Sequence, residues 1–89
     1  AVAIDPATGI AYLTEDADEN SRFYRFRPRT PGDLSAGVLE AAWWQADGSV
    51  RWTRCSALKP YRGDDSTAFA RGEGCWHHAG VVYFCTTSD

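Results

Sequence analysis

The chain has no methionine, and so no initiator residue, and no apolar run approaching the ~20 residues that a membrane-spanning helix needs. Its opening, Ala1-Val2-Ala3-Ile4-Asp5, has neither the charged start nor the apolar stretch of a signal peptide. Low-complexity tracts are absent, and basic residues gather only at Arg22, Arg25, Arg27 and Arg29. The three cysteines, Cys55, Cys75 and Cys85, are an odd number without a C-x-x-C pair, so no complete disulfide framework or paired metal spacing is present. At 89 residues the chain is at most one small domain, burying only roughly 60–65% of its unfolded surface. A net charge of -3 gives no general attraction for nucleic acid.

What is there is the composition of a packed protein, with 44% hydrophobic and 13% aromatic residues, which excludes disorder. Asp5-Pro6-Ala7-Thr8-Gly9 has the residues of a tight turn, with Gly9 free to take the positive φ that closes it, between Ala1–Ile4 and Ile10-Ala11-Tyr12-Leu13-Thr14. The region from Cys75 to Thr87 repeats that grammar. Here His77-His78-Ala79-Gly80 reads as the turn and Val81-Val82-Tyr83-Phe84-Cys85 as the returning strand. Gly9 and Gly80, like Tyr12 and Tyr83, lie 71 positions apart. A recurrence of this length suits a propeller blade carrying an insertion.

Between the hairpins, Arg22 to Arg27 reads as a third strand, with Phe23, Arg25 and Arg27 on one face and Tyr24 and Phe26 on the other. Alternating arginines and aromatics are also the pattern of a single-stranded nucleic-acid platform, but a strand with one solvated and one apolar side accounts for them. A fourth strand is expected at Val38–Trp44. Leu34, Val38, Leu39, Ala42 and Trp43 also fit helical spacing behind Asp33 as an N-cap, although Gly37 and the tryptophan pair favour the strand. The expectation is therefore an all-β fragment of a β-propeller, about one four-stranded antiparallel blade and the first hairpin of the next, continuing beyond both ends. Residues 1–44 form the first blade, 45–67 an inter-blade loop with a possible short strand at Val50–Arg54, and 68–89 the truncated hairpin. Exposed blade edges predict aggregation or poorly cooperative folding.

Several groups of side chains could carry chemistry. Glu15 and Asp16 end the second strand and point to opposite faces, so one of them at most reaches a given site; a solvated strand end is the plain alternative. Asp16-Ala17-Asp18-Glu19-Asn20 starts like a calcium loop but has Ser21 where the turn needs Gly and Arg27 where a bidentate Glu is required. In Arg71-Gly72-Glu73-Gly74 the glycines remove side chains that would block a ligand, and Arg71 and Glu73 point to the same side of an extended chain. Such an arginine can grip a phosphate and such a glutamate a hard divalent cation, while a simple ion pair at a bulge is the alternative. Cys75, His77, His78 and Cys85 are zinc-type ligands, but without a second spaced pair they read as a buried Cys85 and exposed turn histidines.

Asp5-Pro6-Ala7-Thr8-Gly9, Tyr12-Leu13-Thr14-Glu15-Asp16, Phe23-Tyr24-Arg25-Phe26, and Phe69-Ala70-Arg71-Gly72-Glu73-Gly74-Cys75-Trp76 followed by Val82-Tyr83-Phe84 together resemble the PhoX-type family of secreted bacterial alkaline phosphatases. The resemblance implies a periplasmic or extracellular propeller whose central site holds calcium and iron and hydrolyses phosphate monoesters. It implies Glu15 and Glu73 as metal ligands and Arg71 as the catalytic residue that contacts the substrate phosphate. It also implies that further ligands come from blades outside this chain, the remaining partners of the fragment, so the 89 residues alone should be inactive. No nucleic-acid partner and no membrane span are expected. The alternative is a non-catalytic secreted propeller acting as a binding or scaffold module. A carbohydrate-binding propeller would instead use Trp43, Trp44, Trp52 and Trp76, positions that also suit blade packing.

Overall fold

A computed structural model describes residues 2–15, 20–56, 63, 65–69 and 72–86, with the side chain of Glu73 outside the description. The described chain is all-β. Strands β1 (Val2–Ile4), β2 (Ala11–Thr14), β3 (Phe23–Thr30), β4 (Asp33–Trp44) and β5 (Val50–Arg54) form one antiparallel meander in chain order, and β6 (Gly72–His78) and β7 (Val81–Thr86) form a separate hairpin. Antiparallel sheets of five and two strands are consistent with a propeller-like fragment. The first sheet has one strand more than expected: the short strand at Val50–Arg54 pairs with β4.

Local chemistry explains the elements. In the first turn the Asp5 carboxylate accepts the Ala7 N–H at 2.9 Å, Asp5 O accepts Gly9 N–H at 2.7 Å, and Gly9 adopts φ 77°. The second hairpin turns more tightly. Ala79 and Gly80 both take positive φ, 51° and 78°, the pattern of a two-residue turn that matches strand twist. His77 and His78 therefore lie in β6, paired with Val82 and Val81, and not in the turn where the sequence placed them.

The helical alternative at 34–44 is overruled by pairing on both sides. β4 is the longest strand and lies between β3 and β5, and the Asp33 carboxylate accepts the Ser35 N–H at 2.9 Å within the strand instead of capping a helix. Gly37 is required where β4 crosses the irregular register at Pro28–Thr30. A Cβ there would run into Arg27 O and come within 2.6 Å of Phe26 Cζ.

The two faces of the large sheet differ. One carries Leu13, Tyr24, Leu39, Ala41 and Cys55 as a compact apolar cluster, with Ala41 fully buried. The other carries Tyr12, Phe23, Trp44 and Trp52, and the β6–β7 hairpin packs on this aromatic side. Phe84 stacks on Phe23 at 4.2 Å with an interplanar angle of 11° and meets Phe69 edge-on at 5.2 Å. The covered ring cluster also takes in Trp44, Trp52 and Tyr12.

Candidate phosphate and metal site

The end of β2, the entry to β3 and the start of β6 meet at Glu15. Glu15 N–H donates to Arg22 O at 3.2 Å, and Arg22 N–H donates to Glu15 Oε1 at 3.0 Å, so the half-buried carboxylate is oriented by the backbone that leads into β3. Gly72 N–H donates to Glu15 O at 2.9 Å. A Cβ at Gly72 would lie 2.9 Å from Glu15 O and 3.1 Å from Thr14 Cβ, so this approach needs glycine. The backbone between Arg71 and Glu73 is thereby held against Glu15. Arg71 and the Glu73 side chain lie outside the described residues, as do Asp16–Glu19 of the acidic loop.

Arg22 organises this corner and was missed from sequence, where it counted only as one of four clustered arginines. It is buried; Nε donates to Ser66 Oγ at 2.8 Å, and one terminal nitrogen donates to Asn20 O at 2.9 Å and Asn20 Oδ1 at 2.7 Å. Ser66 in turn donates to Gly63 O at 2.7 Å. Ser21 and Phe69 exchange backbone hydrogen bonds of 3.1 and 2.7 Å, which ties the approach to β6 onto the first sheet. The only sequence signal for Arg22 was its place just before a strand that begins with two large aromatics.

The arginines of β3 are not simply a solvated face. Buried Glu40 on β4 accepts Arg25 Nε at 2.7 Å and Arg27 Nε at 2.8 Å, and Arg25 lies 4.4 Å above the Trp52 ring. Burial alone would raise the Glu40 pKa, but the hydrogen bonds from Arg27 and Arg25 outweigh it and hold the carboxyl below its ordinary 4.5.

The cysteines and histidines do not assemble a metal site: among the described residues, no three of His, Cys, Asp and Glu come together. Cys85 is exposed, not buried, because it shares the outward side of β7 with Tyr83; the buried cysteine is Cys55. Burial pushes the Cys55 thiol up, helped by the nearby Glu40 charge, and burial likewise raises Cys75. His77 Nε2 is buried without a hydrogen bond, 3.7 Å from Asp5 Oδ1. Trp44 and Trp52 are committed to the ring cluster between the sheets, which leaves Trp76 as the most exposed tryptophan.

No helix among the described residues is long and apolar enough to cross a membrane. No curated protein and no solved structure matches the chain. The family model described as alkaline phosphatase PhoX matches residues 1–89, the whole chain. The turn grammar, the glycine-flanked Glu73 and the antiparallel sheets thus meet in one conclusion, that the chain belongs to the PhoX alkaline phosphatase family.

Proposed function

We propose that this chain supplies part of the phosphate and cation site of a phosphomonoester hydrolase, with Glu15, Arg71 and Glu73 as its contributing residues. The family match across residues 1–89 supports the activity class, and the 2.9 Å bond from Gly72 N to Glu15 O carries the assignment of residues. That bond holds Gly72, the residue between Arg71 and Glu73 in sequence, against the strand end bearing Glu15, although 57 positions separate Glu15 from Gly72.

The donor set suits a hard cation. Carboxylate oxygens are what calcium takes, and Glu15 and Glu73 would hold it, while no residue of this chain is assigned to iron. Bound there, the cation would neutralise phosphoryl oxygens. Arg71 binds the phosphate through two parallel N–H···O bonds and stabilises the charge that develops on it. Arg22 N–H fixes the rotamer of Glu15, so the carboxylate is oriented before any ligand arrives. The 89 residues alone do not turn over substrate, because the rest of the site belongs to further blades of a longer, exported polypeptide.

The test is phosphate release from a simple aryl phosphate by a longer polypeptide carrying this sequence. Chelation abolishes activity, calcium restores it, and Arg71→Ala lowers kcat/KM by roughly 10²–10³-fold. Activity indifferent to both treatments would leave the non-catalytic binding module as the reading.

A further inference from the structure

The guanidinium of Arg22 is a cation taken out of water, and the acceptors that meet it are neutral. Arg22 is 6% exposed; Nε donates to Ser66 Oγ at 2.8 Å, and one terminal nitrogen donates to Asn20 O at 2.9 Å and to Asn20 Oδ1 at 2.7 Å. Among the described residues no carboxylate forms an ion pair with it. A buried charge with hydrogen bonds but no counter-charge adds little to stability, because its lost hydration is only partly returned. What the three bonds fix is geometry: a planar fork that reaches two segments at once holds them in one relation.

Each end of that fork is itself held. Ser66 donates to Gly63 O at 2.7 Å, and Thr53 Oγ1 on β5 donates to Asp65 O. Thr67 N–H donates to Ala42 O at 2.9 Å while its hydroxyl accepts the Trp44 N–H at 2.7 Å, so residues 65–67 are tied to β4 and β5. At the other end, the bonds to Asn20 join the Arg22 side chain to the backbone two residues before it. Ser21, between them, is fully buried and exchanges backbone hydrogen bonds with Phe69. Residues 20–22 are thereby set as a unit, and the Arg22 N–H they present donates to Glu15 Oε1 at 3.0 Å.

We propose that Arg22 is the positioning residue of the Glu15 carboxylate: held between Ser66 and Asn20, its guanidinium sets the backbone whose N–H orients Glu15, and the strength of the cation site therefore depends on the connection that precedes β6. This rests on the reading of Glu15 as a calcium ligand. Arg22 acts through Glu15 and is not assigned a contact with phosphate or cation. A group that orients a metal-ligating side chain in this way is worth about 10–100-fold in metal affinity.

Calcium titration calorimetry on the chelator-stripped longer polypeptide carrying this sequence reads the effect without turnover. Glu15→Gln identifies the calcium that the carboxylate serves. Arg22→Gln should weaken that same calcium by about 10-fold or more, with the calcium needed for half-maximal activity rising in step and kcat recovering at saturating calcium. The double variant should bind calcium no more weakly than Glu15→Gln alone, since Arg22 acts only through that carboxylate. Asn20 is exposed, so its variants test the same clamp with the core intact, even where Arg22→Gln fails to fold. Asn20→Ala should weaken calcium in the same direction, and Asn20→Asp, which keeps an oxygen for the guanidinium, should bind it about as wild type does. Calcium binding untouched by Glu15→Gln overturns the ligand reading itself. Calcium weakened by Glu15→Gln but not by Arg22→Gln or Asn20→Ala overturns the positioning role alone. So do losses that multiply in the double variant, the mark of a separate structural effect.

Discussion

Phe84→Ala should loosen the whole seam between the large sheet and the β6–β7 hairpin. The ring stacks on Phe23 at 4.2 Å and meets Phe69 and Trp44 edge-on at 5.2 and 6.2 Å, so one truncation removes three ring contacts. Replacing a fully buried Phe by Ala costs about 3–5 kcal/mol. Phe84 is half-buried, which brings the expectation down to about 2–3 kcal/mol, of which the stacked pair supplies roughly 1 kcal/mol beyond its area. Against a total stability of about 4–13 kcal/mol for a chain of this length, that loss lowers Tm by roughly 10–20 °C. Urea and thermal melts followed by circular dichroism measure it, with Tyr83→Ala as the control. Tyr83 lies on the outward side, stacks only on Trp76 and is 44% exposed, so its removal should cost under about 1 kcal/mol. Because β6 is anchored through this seam, the Gly72 amide bonded to Glu15 should also lose hydrogen-exchange protection in Phe84→Ala. A Phe84→Ala protein within about 0.5 kcal/mol of wild type, or a Tyr83→Ala protein equally damaged, would refute the packing argument.

Gly37→Ala should destabilise by roughly 2–3 kcal/mol, because the new methyl meets Arg27 O and Pro28 Cα, which are backbone and cannot yield; Gly74→Ala, whose nearest neighbour would be 3.9 Å away, should be neutral in the same urea titration. The folded-state pKa of Glu40 is depressed, so its contribution is fully present above about 4.5 and is lost as pH falls through the lower folded value. The stability gap between wild type and Glu40→Gln should therefore close on acidification below that value, and a constant gap would contradict the ion pair. Thiol labelling should find Cys85 first and Cys55 slowest, by on the order of tenfold or more, since Cys55 is buried and its thiolate is disfavoured.

Local chemistry made the hairpins legible. The turn Asp5–Gly9 and the matching positive φ of Gly9 and Gly80 follow from residue types a few positions apart. The 71-position recurrence sets Glu15 and Glu73 on successive units of the repeat. Other features were settled by strand pairing and by groups far apart in sequence. The helical spacing at Leu34–Trp43 is real but is overridden by strands on both sides of β4. The possible short strand at Val50–Arg54 forms, paired with β4 across the Asp47-Gly48 turn. His77 and His78 entered β6 because Ala79 accepts φ 51°, which its residue type does not advertise. Arg22 stayed hidden because its partner Ser66 is 44 positions away, and Glu40 because a lone carboxylate between Leu39 and Ala41 has meaning only once Arg25 and Arg27 are opposite it.

The central claim is that Glu15 and Glu73 serve one cation beside the phosphate that Arg71 binds. A double-mutant cycle of Glu15→Gln and Glu73→Gln on kcat/KM for phosphomonoester hydrolysis, in a longer polypeptide carrying this sequence, tests it most directly. Ligands of a single ion act as a unit, so each variant should lose roughly as much activity as the double variant, with calcium dependence shifted in all three. Losses that multiply independently, or activity untouched by either substitution, would contradict the shared site.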